Sequence, residues 1–211
     1  VTDIGTSRMK EIKNDLRVKI DQIFNPEKYK VILTGMSVVF LEGTTYLVKN
    51  LFISLFLAIL LISFFMAWMF NSFRMVVVSL IPNLIPLLIT ASIMGYFGVS
   101  IKPSTILVFS IAFGISVDDT IHFLAKYRQE LKYKNNNIKD SVVSAIKETG
   151  VSMFYTSIVL FFGFFIFLAS QFGGTLALGI LVSITLLIAL LSNLIVLPAM
   201  LLSLEKSLIE E

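Results

Sequence analysis

NLFISLFLAILLISFFMAWMF, residues 50–70, carries no charged side chain, and a run of roughly 20 apolar residues is what crosses a bilayer core as a helix. The pattern recurs outward from there. Between residues 50 and 125 the only charged residues are Arg74, Lys102, Asp118 and Asp119, and residues 150–204 hold none. With 56% hydrophobic residues and a mean hydropathy of +0.89, the composition is that of an all-α integral membrane protein rather than a water-soluble domain. Five transmembrane spans are expected, at 50–70, 75–97, 103–125, 151–170 and 175–203. The short links FNSFR, GVSIK and SQFGG make neighbouring spans antiparallel.

The polar blocks orient the bundle. Residues 71–74, 126–149 and 204–211 contain Arg74, Lys126, Arg128, Lys132, Lys134, Lys139, Lys147 and Lys206, whereas the opposite short loops contain Lys102 alone. The positive-inside rule puts the first set, and the C-terminal tail 205–211, in the cytoplasm, and leaves the N-terminal block outside. A bacterial inner membrane is the expected location. The net charge of +3 then reflects topology, and nucleic-acid binding is excluded as a main role. Without cysteine, disulfides and thiolate metal sites are excluded too.

Residues 1–49 differ in kind. Met9, Ile12, Leu16, Ile20 and Ile23 recur at steps of three and four, predicting an amphipathic helix over 6–24 with Thr6 or Ser7 as its cap and Asn25-Pro26 as its end. YKVILT (29–34) reads as one strand, and FLEGTTYLVKN as a polar approach to the membrane. A helix and a strand enclose no core, so this block is expected to be a small α/β remnant ending a larger extracytoplasmic domain. The opening VTDIGTSRMK, with neither an initiator Met nor an apolar signal core, is expected of a piece of a longer protein. IKDSVVSAIKET (138–149) has helical apolar spacing and is expected to lie along the cytoplasmic face.

The chemistry concentrates in Gly114-Ile115-Ser116-Val117-Asp118-Asp119-Thr120-Ile121-His122. Asp118 lies about 22 Å along a helix that starts at Pro103, still within the hydrocarbon. Buried charge there costs several kcal/mol, so the two acids must face the bundle interior, be paired, or titrate. They point about 100° apart, so both can reach a shared polar cavity. No Lys or Arg lies within a span, so a structural salt bridge needs a partner from elsewhere. His122, the sole histidine, follows Asp118 by one helical turn and serves either as a relay partner or as an interfacial residue. Thr156, Ser157 and Asn193 are further polar groups inside apolar spans, able to bond the acids or a water chain, or simply to bond back to their own helices. Proton and sodium both suit such a site.

Pro82 and Pro86 remove backbone donors on one side of the second span and predict a kink, with Asn83 placed to bond the freed carbonyls. Gly163, Gly173, Gly174 and Gly179 read as close-packing or turn positions. With one His, no Cys and no GxxxxGK[ST] loop, the residues for zinc, thiol, triad or ATPase chemistry are lacking, so no enzyme and no cofactor is expected beyond a coupling ion.

At these residues the chain resembles the resistance, nodulation and division (RND) superfamily of transporters, and within it the exporter branch of the hopanoid transporters and the mycobacterial membrane protein large family. The segments that carry the likeness are VILTGMSVVFLE, IPNLIPLLIT, GISVDDTIHFLAKYRQE, TSIVLFFGFFIFLAS and NLIVLPAMLL, in that order. The resemblance implies that residues 1–49 end a porter domain and that 50–204 are the five helices closing one half of a transporter, a stretch also called a sterol-sensing domain. It implies an ion-relay pair at Asp118 and Asp119 with the Thr156 hydroxyl beside it, a missing half or second copy as partner, and hydrophobic or lipid-like cargo. Asn193 stands where many relatives carry aspartate. The competing readings are a non-transporting sterol-sensing module and a protein-export accessory of the SecD and SecF type.

Overall fold

The structure, a computed structural model, describes residues 6–25, 28–135 and 137–209, the side chains of 6, 7 and 204–209 excepted. It divides into two compact units, Val1–Ile53 and Ser54–Glu211.

In the first unit, α1 (Thr6–Ile23) follows the apolar periodicity. Its proposed cap side chains and Pro26 fall outside the described residues. Ion pairs one turn apart support it, Arg8 with Glu11 at 2.7 Å and Lys19 with Asp15 at 2.9 Å. Lys13 pairs with Glu42, and Arg17 Nη1 donates to the Val31 carbonyl at 2.9 Å. The strand expected at 29–34 is not formed: that segment is irregular, and no strand occurs among the described residues. A β-strand exists through its ladder, and none of the described segments offers a second edge. The α/β remnant is therefore corrected to a helical one. The polar approach is also helical, because α2 begins at Met36 and runs unbroken to Phe70.

Five helices are long and apolar enough to cross a membrane: Met36–Phe70, Phe73–Tyr96, Pro103–Tyr133, Ile138–Ala169 and Gly173–Ser203. The chain is a multi-pass membrane protein. In the second unit, Asn71 at φ 50° turns the chain from α2 into α3 (Phe73–Tyr96), and Gly98 at φ 65° follows the end of α3. The left-handed conformation at Gly98 costs a glycine nothing. α4 (Pro103–Tyr133) starts with proline at its first position, while Thr105 Oγ1 accepts from the Lys102 backbone N–H at 2.8 Å. α5 (Ile138–Phe165) is capped by Asn137, whose side chain accepts from Asp140 N–H at 3.0 Å.

Residues 138–149 do not form a separate surface helix. They are the first turns of α5, since Ser141, Val142 and Ala145 are buried in the bundle. Gly150 permits the continuation: a Cβ there would stand 3.3 Å from Leu194 Cδ2. α6 (Gly173–Leu191) passes into a widened turn, Ser192–Val196, before α7 (Leu197–Ile209), so the fifth span is interrupted.

Apolar packing forms two ends. At the basic end Phe123, Leu124 and Tyr127 of α4 meet Val142, Ala145, Leu197 and Leu201. At the other, Met94 and Val108 meet Leu181, Val182 and Leu186. Fully buried leucine or phenylalanine side chains contribute about 1.5–3 kcal/mol each where burial replaces exposure to water, and within lipid the same contacts act through close packing. Along α4, the polar Ser116 and Thr120 fall between the buried Phe113 and Phe123.

Candidate functional site

Three elements converge on that polar stretch. From α3, Asn83 is fully buried and its Oδ1 accepts from Ser116 Oγ at 2.6 Å and from Thr120 Oγ1 at 3.0 Å. From the widened turn, Asn193 is fully buried too; its Nδ2 donates to the Ser116 carbonyl at 3.0 Å, and its Oδ1 lies 3.0 Å from Thr120 Oγ1, whose single proton the two amide oxygens share. Two amides thus grip one turn of α4 from both sides. Every polar atom in this knot is neutral and hydrogen-bonded, which is what allows it to exist in the low dielectric of a bundle. Above it, Thr90 and Thr185 share a buried hydroxyl contact of 2.6 Å between α3 and α6.

The prolines explain why the second and fifth spans meet here. Pro86 has no N–H, so the carbonyl of Pro82 lacks its helical donor. Ser192 Oγ supplies one at 2.7 Å. Asn83 does not bond a freed carbonyl as expected; its Nδ2 donates to Ser79 O at 2.7 Å, and its oxygen is spent on α4. The widened turn presents Ser192 to α3 and its neighbour Asn193 to α4, an arrangement of the kind that π-type turns provide at functional sites.

The acidic pair is split by this geometry. Asp119 is buried, at 7% exposure, and among the described residues its carboxylate accepts no hydrogen bond. The side chains of Asp118 and His122 are each 73% exposed, with Nε2 and Oδ1 3.6 Å apart. Asp119 is thus the buried member of the pair, and Asp118 with His122 forms an outward pair. Of the other polar residues singled out, Asn193 is drawn into the knot. Ser157 is buried, whereas Thr156 is exposed and bonds back to the Ser152 carbonyl at 2.8 Å. Ser116, Thr120 and Ser192 were missed as site residues. The available signal was their spacing: Ser116 and Thr120 stand one turn apart around the two acids, and Ser192 precedes Asn193 in an otherwise apolar span.

The sequence matches a known family over nearly the whole chain, with the MMPL family model covering residues 2–209. The chain belongs to the MMPL family. Among curated proteins, the hopanoid transporter HpnN of Burkholderia multivorans is 26% identical over 143 residues, which is 67% of this chain and 16% of that protein. The chain thus spans about a sixth of the relative's length. No solved structure matches it. Within this MMPL chain the site is made from the third, second and fifth candidate spans, in that order of contribution.

Proposed function

We propose that this chain is the helical portion of one half of an RND-type exporter that moves lipid-like or hydrophobic molecules, driven by a proton or sodium gradient. The observation that carries the reading is Asp119, a buried carboxylate in an apolar span, set against a neutral knot that ties α4 to α3 and to the turn after α6. Membrane proteins retain such an acid where it binds and releases a cation. Family membership and the printed name of HpnN support the cargo class.

In this mechanism the cation is taken up at Asp119 and released on the other side of the membrane. Neutralising the acid changes what α4 can pack against, and the amide knot passes the shift to α3 and α6. Residues 1–49, the end of a porter domain, receive it outside, and residues 205–211 form a cytoplasmic tail. Asp118 and His122, exposed in the middle of a span, are too polar to face lipid. The partner half, or a second copy of this one, covers them and completes the relay.

The full-length protein reconstituted in vesicles tests this. A proton or a sodium gradient is imposed, and a fluorescent lipid is followed with wild type beside Asp119→Asn. Movement that depends on one gradient and is lost in the variant supports the reading and names the ion. Lipid binding without movement, identical in both proteins, favours a sterol-sensing regulatory module and overturns it.

A further inference from the structure

α4 is longer than a bilayer requires. Its 31 residues extend about 46 Å, against a hydrocarbon core of roughly 30 Å. Its last turns therefore stand at the level of the lipid headgroups.

Four cations occupy those turns and the residue that follows them, and they are not equivalent. Lys126 pairs with Glu130 at 3.1 Å and with Glu148 at 2.5 Å. Lys134 lies 3.8 Å from Glu130, donates to the Asp140 carbonyl at 2.9 Å and bonds Ser144 Oγ. These contacts tie the end of α4 to the start of α5. Arg128 and Lys132, one turn apart, have no carboxylate within ion-pairing distance among the described residues. Both line a concavity of about 480 Å³ whose other walls are Ala125, Gln129 and Tyr133. No acid borders it. Arg128 is steadied from behind, its guanidinium carbon 5.9 Å from the Phe70 ring centre.

We propose that Ala125, Arg128, Gln129, Lys132 and Tyr133 form a binding site for the phosphate of an anionic phospholipid headgroup. The guanidinium and ammonium meet the phosphate oxygens, and the Gln129 amide and Tyr133 hydroxyl add neutral donors. Ala125, on the bilayer side, leaves room for the glycerol and the first acyl carbons. The anion delivered to this depth in every membrane is a lipid phosphate, and basic pockets at helix ends are how membrane proteins hold one. The site begins roughly two turns beyond Asp118 on the same side of α4. A bound lipid thus sits at the basic lip of the face that carries the outward acid.

The test uses the full-length protein in neutral detergent. Thermal unfolding is followed with added phosphatidylglycerol, phosphatidylcholine or inorganic phosphate, for wild type, Arg128→Gln/Lys132→Gln, and Lys139→Gln/Lys147→Gln. The expected result is stabilisation by phosphatidylglycerol alone, with apparent affinity at least about tenfold weaker in the first double variant and unchanged in the second. Equal loss in both variants indicates diffuse surface charge and overturns the site. Equal stabilisation by inorganic phosphate overturns the lipid assignment. Native mass spectrometry of wild type offered both lipids in equal amounts needs no variant: selective retention of phosphatidylglycerol supports the proposal, and indifference refutes it.

Discussion

Ser192 Oγ donates to the carbonyl of Pro82 at 2.7 Å, across 110 residues of sequence, and fills the vacancy that Pro86 creates in the helical ladder of α3. The second and fifth spans are therefore joined by a bond that each needs the other to make.

Replacing Ser192 by Ala should cost about 1–2 kcal/mol, because it leaves a buried carbonyl without a donor. Pro86→Ala restores the backbone N–H that the Pro82 carbonyl lacks. Ser192→Ala should then cost clearly less in the Pro86→Ala background than alone. Reversible unfolding in mixed detergent measures the cycle, and strictly additive effects would contradict the assignment.

Asn83 and Asn193 share Thr120 Oγ1, each at 3.0 Å. Their Ala variants should therefore couple by about 0.5–2 kcal/mol in a double-mutant cycle. Either change alone leaves one amide still holding α4, and only the pair frees it. Hydrogen exchange around Ser116 should rise most in the double variant; equal rises in the single variants would show that the amides act separately.

Gly179 and Gly163 look alike in sequence and should respond oppositely to alanine. A Cβ at Gly179 would lie 2.9 Å from the Phe164 carbonyl oxygen and 2.7 Å from Phe167 Cβ, whereas one at Gly163 meets nothing within 4 Å. Gly179→Ala should lower stability by about 1–3 kcal/mol through forced separation of α6 from α5. Gly163→Ala should be neutral or stabilising by up to about 1 kcal/mol from helix propensity. Thermal melts of the two proteins side by side decide it.

Asp119 is buried, at 7% exposure, so removing its charge removes a desolvation cost. Asp119→Asn should melt at or above the wild-type temperature while gradient-driven transport is lost. A fall in melting temperature that matches the loss of transport would mark Asp119 as a structural residue.

Much of this architecture was legible without coordinates. Runs such as 50–70 have one low-energy fate, because a helix is the only way a single apolar segment satisfies its own backbone in lipid. Pro82, Pro86 and the adjacent acids also announced themselves, since each breaks a local rule of its span. Local rules also produced the errors. YKVILT has strand chemistry but no partner among the described residues, and IKDSVVSAIKET has surface-helix spacing but continues into a span.

What the sequence by itself determined was therefore the number of candidate spans and the presence of costly carboxylates in the third. Tertiary structure alone decided which acid is buried. Asp118 and Asp119 are chemically identical neighbours about 100° apart, and only the packing of α3 and of the turn after α6 against one side of α4 separates Asp119 from the outward Asp118 and His122. The same holds for Asn83 and Asn193. Periodicity places a residue on its own helix, but the partner of a buried amide is set by how the helices cross, which no local pattern encodes.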